Sequence, residues 1–432
     1  MQLYLSLLRE RRVALIWVGE TLNAFGSGLT LWALAWLLLR TYPAQPLLAA
    51  LVLSVLSLSS LLSTVVLGAW LDTWDRRRTL IVCNLALALL TALIPLVARA
   101  AWGAAWGPFG GLAFGGAAPL LVLVAAIGFL RGLPAPALSA TLPSLVPLER
   151  LPALQALFNL TWMTGELSAA AVAGFLISGA GVNVAFWTDA ATFLAVMLGY
   201  SLVRSPLQPL PLQSAPEEPR SSGMAAWWEQ LRGGWGFVGR RPALWGMFLG
   251  LGITNAYFYV FGALFLPRVG ERLLGPGRGP LGVGILDTVT VGAELLASLC
   301  LGRAAIGARA VRPLVLLGCT LTVIMAAGVV FATSYPLALL FALLNGVAFA
   351  PISVLVAVYV ARHTPPSLLG RVSSVRFFFG NAGRPLAITA AGALLPLLGL
   401  GPLAAGLAGT AVLLSLFGYW QGERLPLAEG EA

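Results

Sequence analysis

The stretch Gly68-Ala-Trp-Leu-Asp72-Thr-Trp-Asp75-Arg76-Arg77-Arg78 is short and charged, and it separates two long apolar runs, Leu47 to Leu71 and Thr79 to Ala98. Three consecutive arginines are too costly to leave in hydrocarbon, so this hairpin must meet water. The side on which it does so fixes the topology of the chain around it.

Composition makes the surrounding solvent lipid. The chain has 432 residues, 59% hydrophobic and only 10% charged, against about 25% charged in soluble domains. No lysine is present; all 26 basic residues are arginine, and they gather at the ends of apolar runs. The net charge of +10 therefore reads as topology, and no nucleic-acid partner is expected. Cys83, Cys300 and Cys319 all fall inside apolar runs and read as small core residues, and His363 is the only histidine. No metal cluster, nucleotide-binding glycine loop or HExxH pattern is present, so no cofactor is expected. The first apolar run, 13–39, carries Glu20 and is too long for a signal peptide.

At about 20 apolar residues per crossing, twelve spans are predicted: 13–39, 47–71, 79–98, 118–140, 152–178, 183–203, 242–268, 280–302, 313–332, 335–361, 371–397 and 400–420. With the N-terminus in the cytoplasm, 18 arginines fall in cytoplasmic segments, 5 in outer segments and 3 within spans. That asymmetry puts both termini inside. The longest connection lies between spans six and seven. Its first part, 205–223, is rich in Pro, Ser and Gln and reads as a flexible linker. Its second part holds Trp227, Leu231 and Trp235 on one helical face. It reads as a short amphipathic helix on the inner leaflet, weakened by Gly233 and Gly234, or as an irregular linker.

The halves resemble one another. Leu22-Asn23-Ala24-Phe25 matches Thr254-Asn255-Ala256-Tyr257 at an offset of 232, and Gly68 and Arg78 fall opposite Gly302 and Arg312 at 234. Gly165 and Gly174 fall opposite Gly383 and Gly392 at 218, the shift being nearly accounted for by a shorter outer loop in the second half. The expected fold is thus an all-α integral membrane protein, with twelve transmembrane helices in two pseudo-symmetric six-helix bundles. The N-terminal bundle covers 1–203, a cytoplasmic linker 204–241, and the C-terminal bundle with its cytoplasmic tail 242–432.

Gly68-x3-Asp72-x3-Arg76-Arg77-Arg78 resembles motif A of the major facilitator superfamily, with Thr73 and Asp75 departing from the usual pattern. Leu142-Pro143-Ser144-Leu145-Val146-Pro147, Phe186-Trp187-Thr188-Asp189-Ala190 and Gly370-Arg371-Val372-Ser373 are similar to a bacterial branch of macrolide-efflux, siderophore-exporter and transmembrane secretion effector proteins. The resemblance implies a multi-pass transporter of the bacterial inner membrane, monomeric by the superfamily's habit. It implies a cytoplasmic gate at Gly68, Asp72, Arg76, Arg77 and Arg78. The alternative for the hairpin is a topological anchor in which Asp72 merely pairs with Arg76.

Ionisable groups at membrane depth must be paired or hydrated. Glu20, Arg131, Glu166, Glu294 and Arg384 are the candidates for proton or charge coupling; Asp287 is off-centre, and Asp189 reads as a structural cap near the outer end of span six. In one reading Glu20 or Glu166 exchanges a proton while Arg131 tunes it; in the other a static Glu–Arg pair ties two helices together. Glu166 and Arg384 follow the matched Gly165 and Gly383, which suggests an acid and a base at equal depth in the two halves. Ala169 and Ala170 stand where the antiporters' motif C carries Gly-Pro, which weakens the case for antiport but not for export. Asn23, Asn255, Tyr257 and Asn345 are the candidate substrate-cavity residues, or else packing groups. The leading function is proton-coupled efflux of a small amphipathic molecule. The alternatives are an importer or facilitator, a membrane-embedded enzyme, and a sensor that does not transport.

Overall fold

The computed structural model describes residues 2–43, 45–67, 75–103, 117–134, 138, 142, 145–147, 150–202, 224–303, 306–365 and 368–423. Gly68 and Asp72 lie outside these residues. So do the side chains of Arg76, Glu166, Trp227 and Leu231.

The described chain is helical. The first compact unit comprises Met1–Pro43 and Val52–Gly223. It holds α1 (Gln2–Arg9), α2 (Arg11–Thr41), most of α3 (Pro46–Leu67), α4 (Arg76–Gly103), α5 (Ala118–Arg131), α6 (Leu151–Gly179) and α7 (Val182–Leu202). Within it, α2 packs on α6 and α7, and α4 on α5 and α7. Leu7, Ile16, Leu80, Leu154, Val196 and Tyr200 meet in one buried cluster. The second unit comprises Ala44–Leu51 and Met224–Ala432. It holds α8 (Met224–Gly239), α9 (Pro242–Val260), a five-residue π segment (Phe261–Phe265), α10 (Leu266–Arg303), α11 (Ala308–Phe331), α12 (Tyr335–His363), α13 (Leu369–Leu398) and α14 (Leu400–Glu423). There α12 packs on α10 and α11, and α9 packs on α13 and α14.

The surface is inverted relative to a soluble protein. Val82, Val122, Phe175, Leu386 and Leu397 are exposed, while Asn84, Thr91, Asp189, Thr254 and Thr322 are buried. Lipid explains both observations: apolar side chains lose nothing by facing hydrocarbon, and polar ones are driven away from it into the protein. Eight helical stretches among the described residues are long and apolar enough to cross a membrane. One of them, Pro242–Gly302, has 61 residues, about 90 Å of helix and far more than one crossing requires. It reverses at Gly275, whose φ of 77° is open to glycine. A Cβ on Gly270 would press on Val283 and on the Gly279 carbonyl, so the two arms lie side by side. The expected outer loop between spans seven and eight is therefore mostly helix.

Two expectations change. Span four is predicted to run unbroken to residue 140, with Arg131 in its middle; α5 ends at Arg131 after 14 residues, about 21 Å, and helix resumes at Pro134. Pro134 lacks the N–H that an unbroken helix would use there. The freed Gly132 carbonyl accepts from Thr64 Oγ1 at 3.1 Å. Second, Gly233 and Gly234 do not weaken the linker helix. They are its contact surface: a Cβ on Gly234 would lie 2.8 Å from the Arg371 carbonyl of α13. Trp235 on the same turn packs against Phe378 and Phe379. The helix thus groups with the second unit and not with a free linker.

Candidate functional site

The most polar point of the first unit is a carboxylate with no exposure at all. Asp189 lies inside α7, seven residues from its start. It is not a cap. Its Oδ2 accepts from Arg131 Nη2 at 3.0 Å and from the Thr30 hydroxyl of α2. Its Oδ1 accepts from Thr192 Oγ1 at 3.2 Å. The Arg131 guanidinium also stands 5.8 Å from the centre of the Phe193 ring, within cation–π range. Sequence dictates this meeting in two ways. Arg131 occupies the last turn of α5, where the carbonyl end of the helix favours a cation. Gly26 lets α2 approach, since a Cβ there would overlap both Thr192 Oγ1 and Asp189 Oδ1.

Arg131 therefore takes a carboxylate partner absent from the sequence-based candidates. Glu20, expected to face it, is 4% exposed and accepts instead from Tyr200 Oη at 2.6 Å and Asn23 Nδ2 at 3.3 Å. The same Tyr200 ties Glu20 to the charged hairpin. Arg77 Nε donates to the Tyr200 carbonyl at 3.1 Å, and Arg77 Nη2 to the Ser201 carbonyl at 2.6 Å. Those carbonyls belong to the last turn of α7, which has no intrahelical donors left for them. Arg78 is exposed and pairs with Asp75 at 3.7 Å, an exposed contact of little energetic weight.

In the second unit the candidates separate. Asn345 is 1% exposed and donates to the Thr322 carbonyl at 2.7 Å, joining α12 to α11. Tyr257 is buried, and its hydroxyl has no hydrogen-bond partner. Asn255 is half-buried, its Nδ2 3.4 Å from where a Cβ on Gly380 would stand. Glu294 is half-buried on α10, beside the point where Gly346 brings α12 onto the α10 backbone. Arg384 lies 5.7 Å from the Tyr259 ring centre.

Sequence reasoning took Asp189 for a cap and overlooked Thr30, Thr192 and Tyr200. One clue was available: an acid and a base buried in neighbouring spans each demand a partner. The hydroxyls and the tyrosine carry no such clue, since both residue types are common in membrane helices. Among the described residues no group of His, Cys, Asp and Glu could hold a metal ion.

A helical membrane chain with a buried ion pair and a motif-A-like hairpin invites comparison with known transporters. The sequence profile described as Major Facilitator Superfamily matches residues 16–388. The chain belongs to the Major Facilitator Superfamily. It is thus a multi-pass membrane transporter. Among curated relatives, the multidrug efflux pump Tap of Mycobacterium tuberculosis (strain ATCC 25618 / H37Rv) is 25% identical over 89% of this chain and 87% of its own. The protein of the same name from Mycolicibacterium fortuitum is 28% identical over 90% and 89%. Among solved structures, a bacterial homologue of the human lysosomal transporter Spinster, inward-facing and unoccupied, aligns with a TM-score of 0.70 at 15% identity, covering 96% of each chain. The nucleoside transporter NupG aligns at 0.66 and 13%, covering 96% of this chain and 100% of its own. These structural likenesses establish the superfamily fold.

Proposed function

We propose that this superfamily member is a proton-coupled exporter of small amphipathic molecules, working by alternating access between two six-span halves with both termini in the cytoplasm. The observation that carries the reading is the fully buried Asp189, held between Arg131, Thr30 and Thr192. A carboxylate so placed is stable ionised only while its donors stay assembled. If helix movement separates Arg131 from Asp189, the carboxylate must take a proton; reassembly expels it. That is the elementary act of coupling. Direction is supported by the two relatives described as multidrug efflux pumps. Glu20, with Tyr200 and Asn23, is a second exchange site at the same interface, and Glu166, Glu294 and Arg384 complete the coupling set. The Gly68–Arg78 hairpin, with Asp72, acts as the cytoplasmic gate. Asn23, Asn255, Tyr257 and Asn345 contribute to the substrate path.

The two-halves architecture is supported by repeated contacts. Gly165 of α6 packs against Ala24 of α2, and its counterpart Gly383 of α13 packs against Ala256 of α9. Ala24 and Ala256 are themselves matched in the sequence repeat.

The test is transport of a fluorescent amphipathic cation by purified protein in proteoliposomes under an imposed pH gradient. Wild-type protein should drive uphill movement that an uncoupler abolishes. Asp189→Asn should bind the dye but lose gradient-driven accumulation. Asp72→Asn, in the same vesicles, should slow transport while keeping its pH dependence. A folded Asp189→Asn protein with unchanged pH-driven accumulation would end the proton role of Asp189.

A further inference from the structure

Within the second unit a narrow crevice lies between α9, α11 and α14; the roughly 340 Å³ of empty space around it includes the open solvent at its mouth. Much of its wall is made of small residues: Ala243, Gly246 and Gly250 on α9 and Gly418 on α14. Two polar groups interrupt this lining. Arg312 stands near the start of α11, and Ser415 lies on α14.

Ser415 is the unusual member. It is 4% exposed, and its Oγ has no hydrogen-bond partner. A serine or threonine in a membrane helix ordinarily returns its hydroxyl to the carbonyl four residues back. Thr410 on the same helix does so, donating to the Gly406 carbonyl at 2.8 Å, as does Thr288 to Gly284 at 2.7 Å. Ser415 does not. A buried hydroxyl left unsatisfied is costly, so something that accepts a hydrogen bond belongs opposite it.

The position of the crevice indicates what that is. Ala243 opens α9, Arg312 lies on the second turn of α11, and Gly418 is five residues from the end of α14, so all three mark the same end of the bundle. Trp245 and Trp420 are exposed at that end, as tryptophans are at the level of lipid headgroups. The residues flanking the lining, Leu317, Leu414 and Leu416, are exposed and apolar. The mouth therefore opens toward acyl chains. Ser415 lies about 4–5 Å deeper along α14 than Gly418, the order in which ester oxygens follow a phosphate into a bilayer.

We propose that this crevice binds one anionic phospholipid of the surrounding leaflet. Arg312 receives the phosphate, and the Ser415 hydroxyl donates to an ester carbonyl below it. One acyl chain lies over the exposed Leu317, Leu414 and Leu416 that flank the mouth. Charge complementarity selects an anionic headgroup, because Arg312 is the only charged residue among the described residues of the lining.

Native mass spectrometry of the purified protein, offered phosphatidylglycerol, phosphatidylcholine or inorganic phosphate, tests this. Phosphatidylglycerol should be retained as one tightly held copy. Loss of one arginine–headgroup contact should weaken it about fivefold in Arg312→Gln. Ser415→Ala should weaken it as well, and Gly250→Leu, which fills the crevice, should abolish it. Arg240→Gln, which removes an exposed arginine outside the crevice, should leave binding unchanged. Equal retention of phosphatidylcholine would overturn the proposal, as would equal binding of inorganic phosphate. So would an Arg240→Gln effect as large as that of Arg312→Gln. If Gly250→Leu fails to fold, the Arg312→Gln and Ser415→Ala proteins decide the matter.

Discussion

Asp189 and Arg131 occupy a place that neither could hold alone. Removing one charge from a buried pair strands the other and costs about 3–5 kcal/mol, whereas replacing both by apolar groups of similar volume is often neutral. Asp189→Asn or Arg131→Met alone should thus lower thermal stability in detergent markedly. The double variant Arg131→Met, Asp189→Leu should recover most of that loss while remaining unable to couple transport to pH. Thermal unfolding followed by intrinsic fluorescence separates the two effects, and a double variant no more stable than either single one would show that charge balance is not what the site supplies. The pair was hard to read in the sequence for a physical reason. Its members are 58 residues apart, and Asp189, read as a cap near the end of span six, does not offer itself as a partner for Arg131. Glu20 was legible as a buried acid because an isolated carboxylate in an apolar run has to be sheltered from lipid. Its tyrosine partner was not, since nothing in a 3.6-residue period distinguishes Tyr200 from a packing residue.

At the scale of the element, apolar runs predicted helices well and misjudged what their glycines do. Of the expected face of the linker helix α8, Trp235 packs on α13, and Gly233 and Gly234 serve close approach there and do not fray the helix. Gly234→Leu should push α8 off α13 and leave the Trp235 cluster unpacked. Faster trypsin cleavage at Arg232 and Arg240, with unchanged helical content, is the expected result; unchanged protection would show that the contact is dispensable. The charged hairpin shows the complementary case. The sequence presents its arginines as a topological mark. That Arg77 closes the carbonyl end of α7 was not legible there, because helix ends are satisfied by whatever donor the tertiary fold delivers.

At the scale of the molecule, the proposed repeat calls for matching turns in the two halves. The turn joining α6 to α7 contains Gly181 with φ 89°, and the turn joining α13 to α14 contains Gly399 with φ 76°. These two glycines are also 218 residues apart, the offset of the matched pairs beside them. No atom lies within 4 Å of a Cβ built at either site, so alanine there tests backbone conformation alone. Gly181→Ala and Gly399→Ala should each cost about 1–2 kcal/mol, and by equal amounts within error, as thermal unfolding of the two variants would show. Clearly unequal losses would argue that the turns resemble each other by coincidence. One consequence of the Asp189–Arg131 pair is electrical. As an ion pair it is neutral, and a transmembrane voltage has nothing to pull on. Adding a proton to Asp189 uncovers the arginine's full charge, worth about 2.3 kcal/mol for a complete crossing at 100 mV. The proposed coupling step would thus make the transporter answer to membrane voltage as well as to pH.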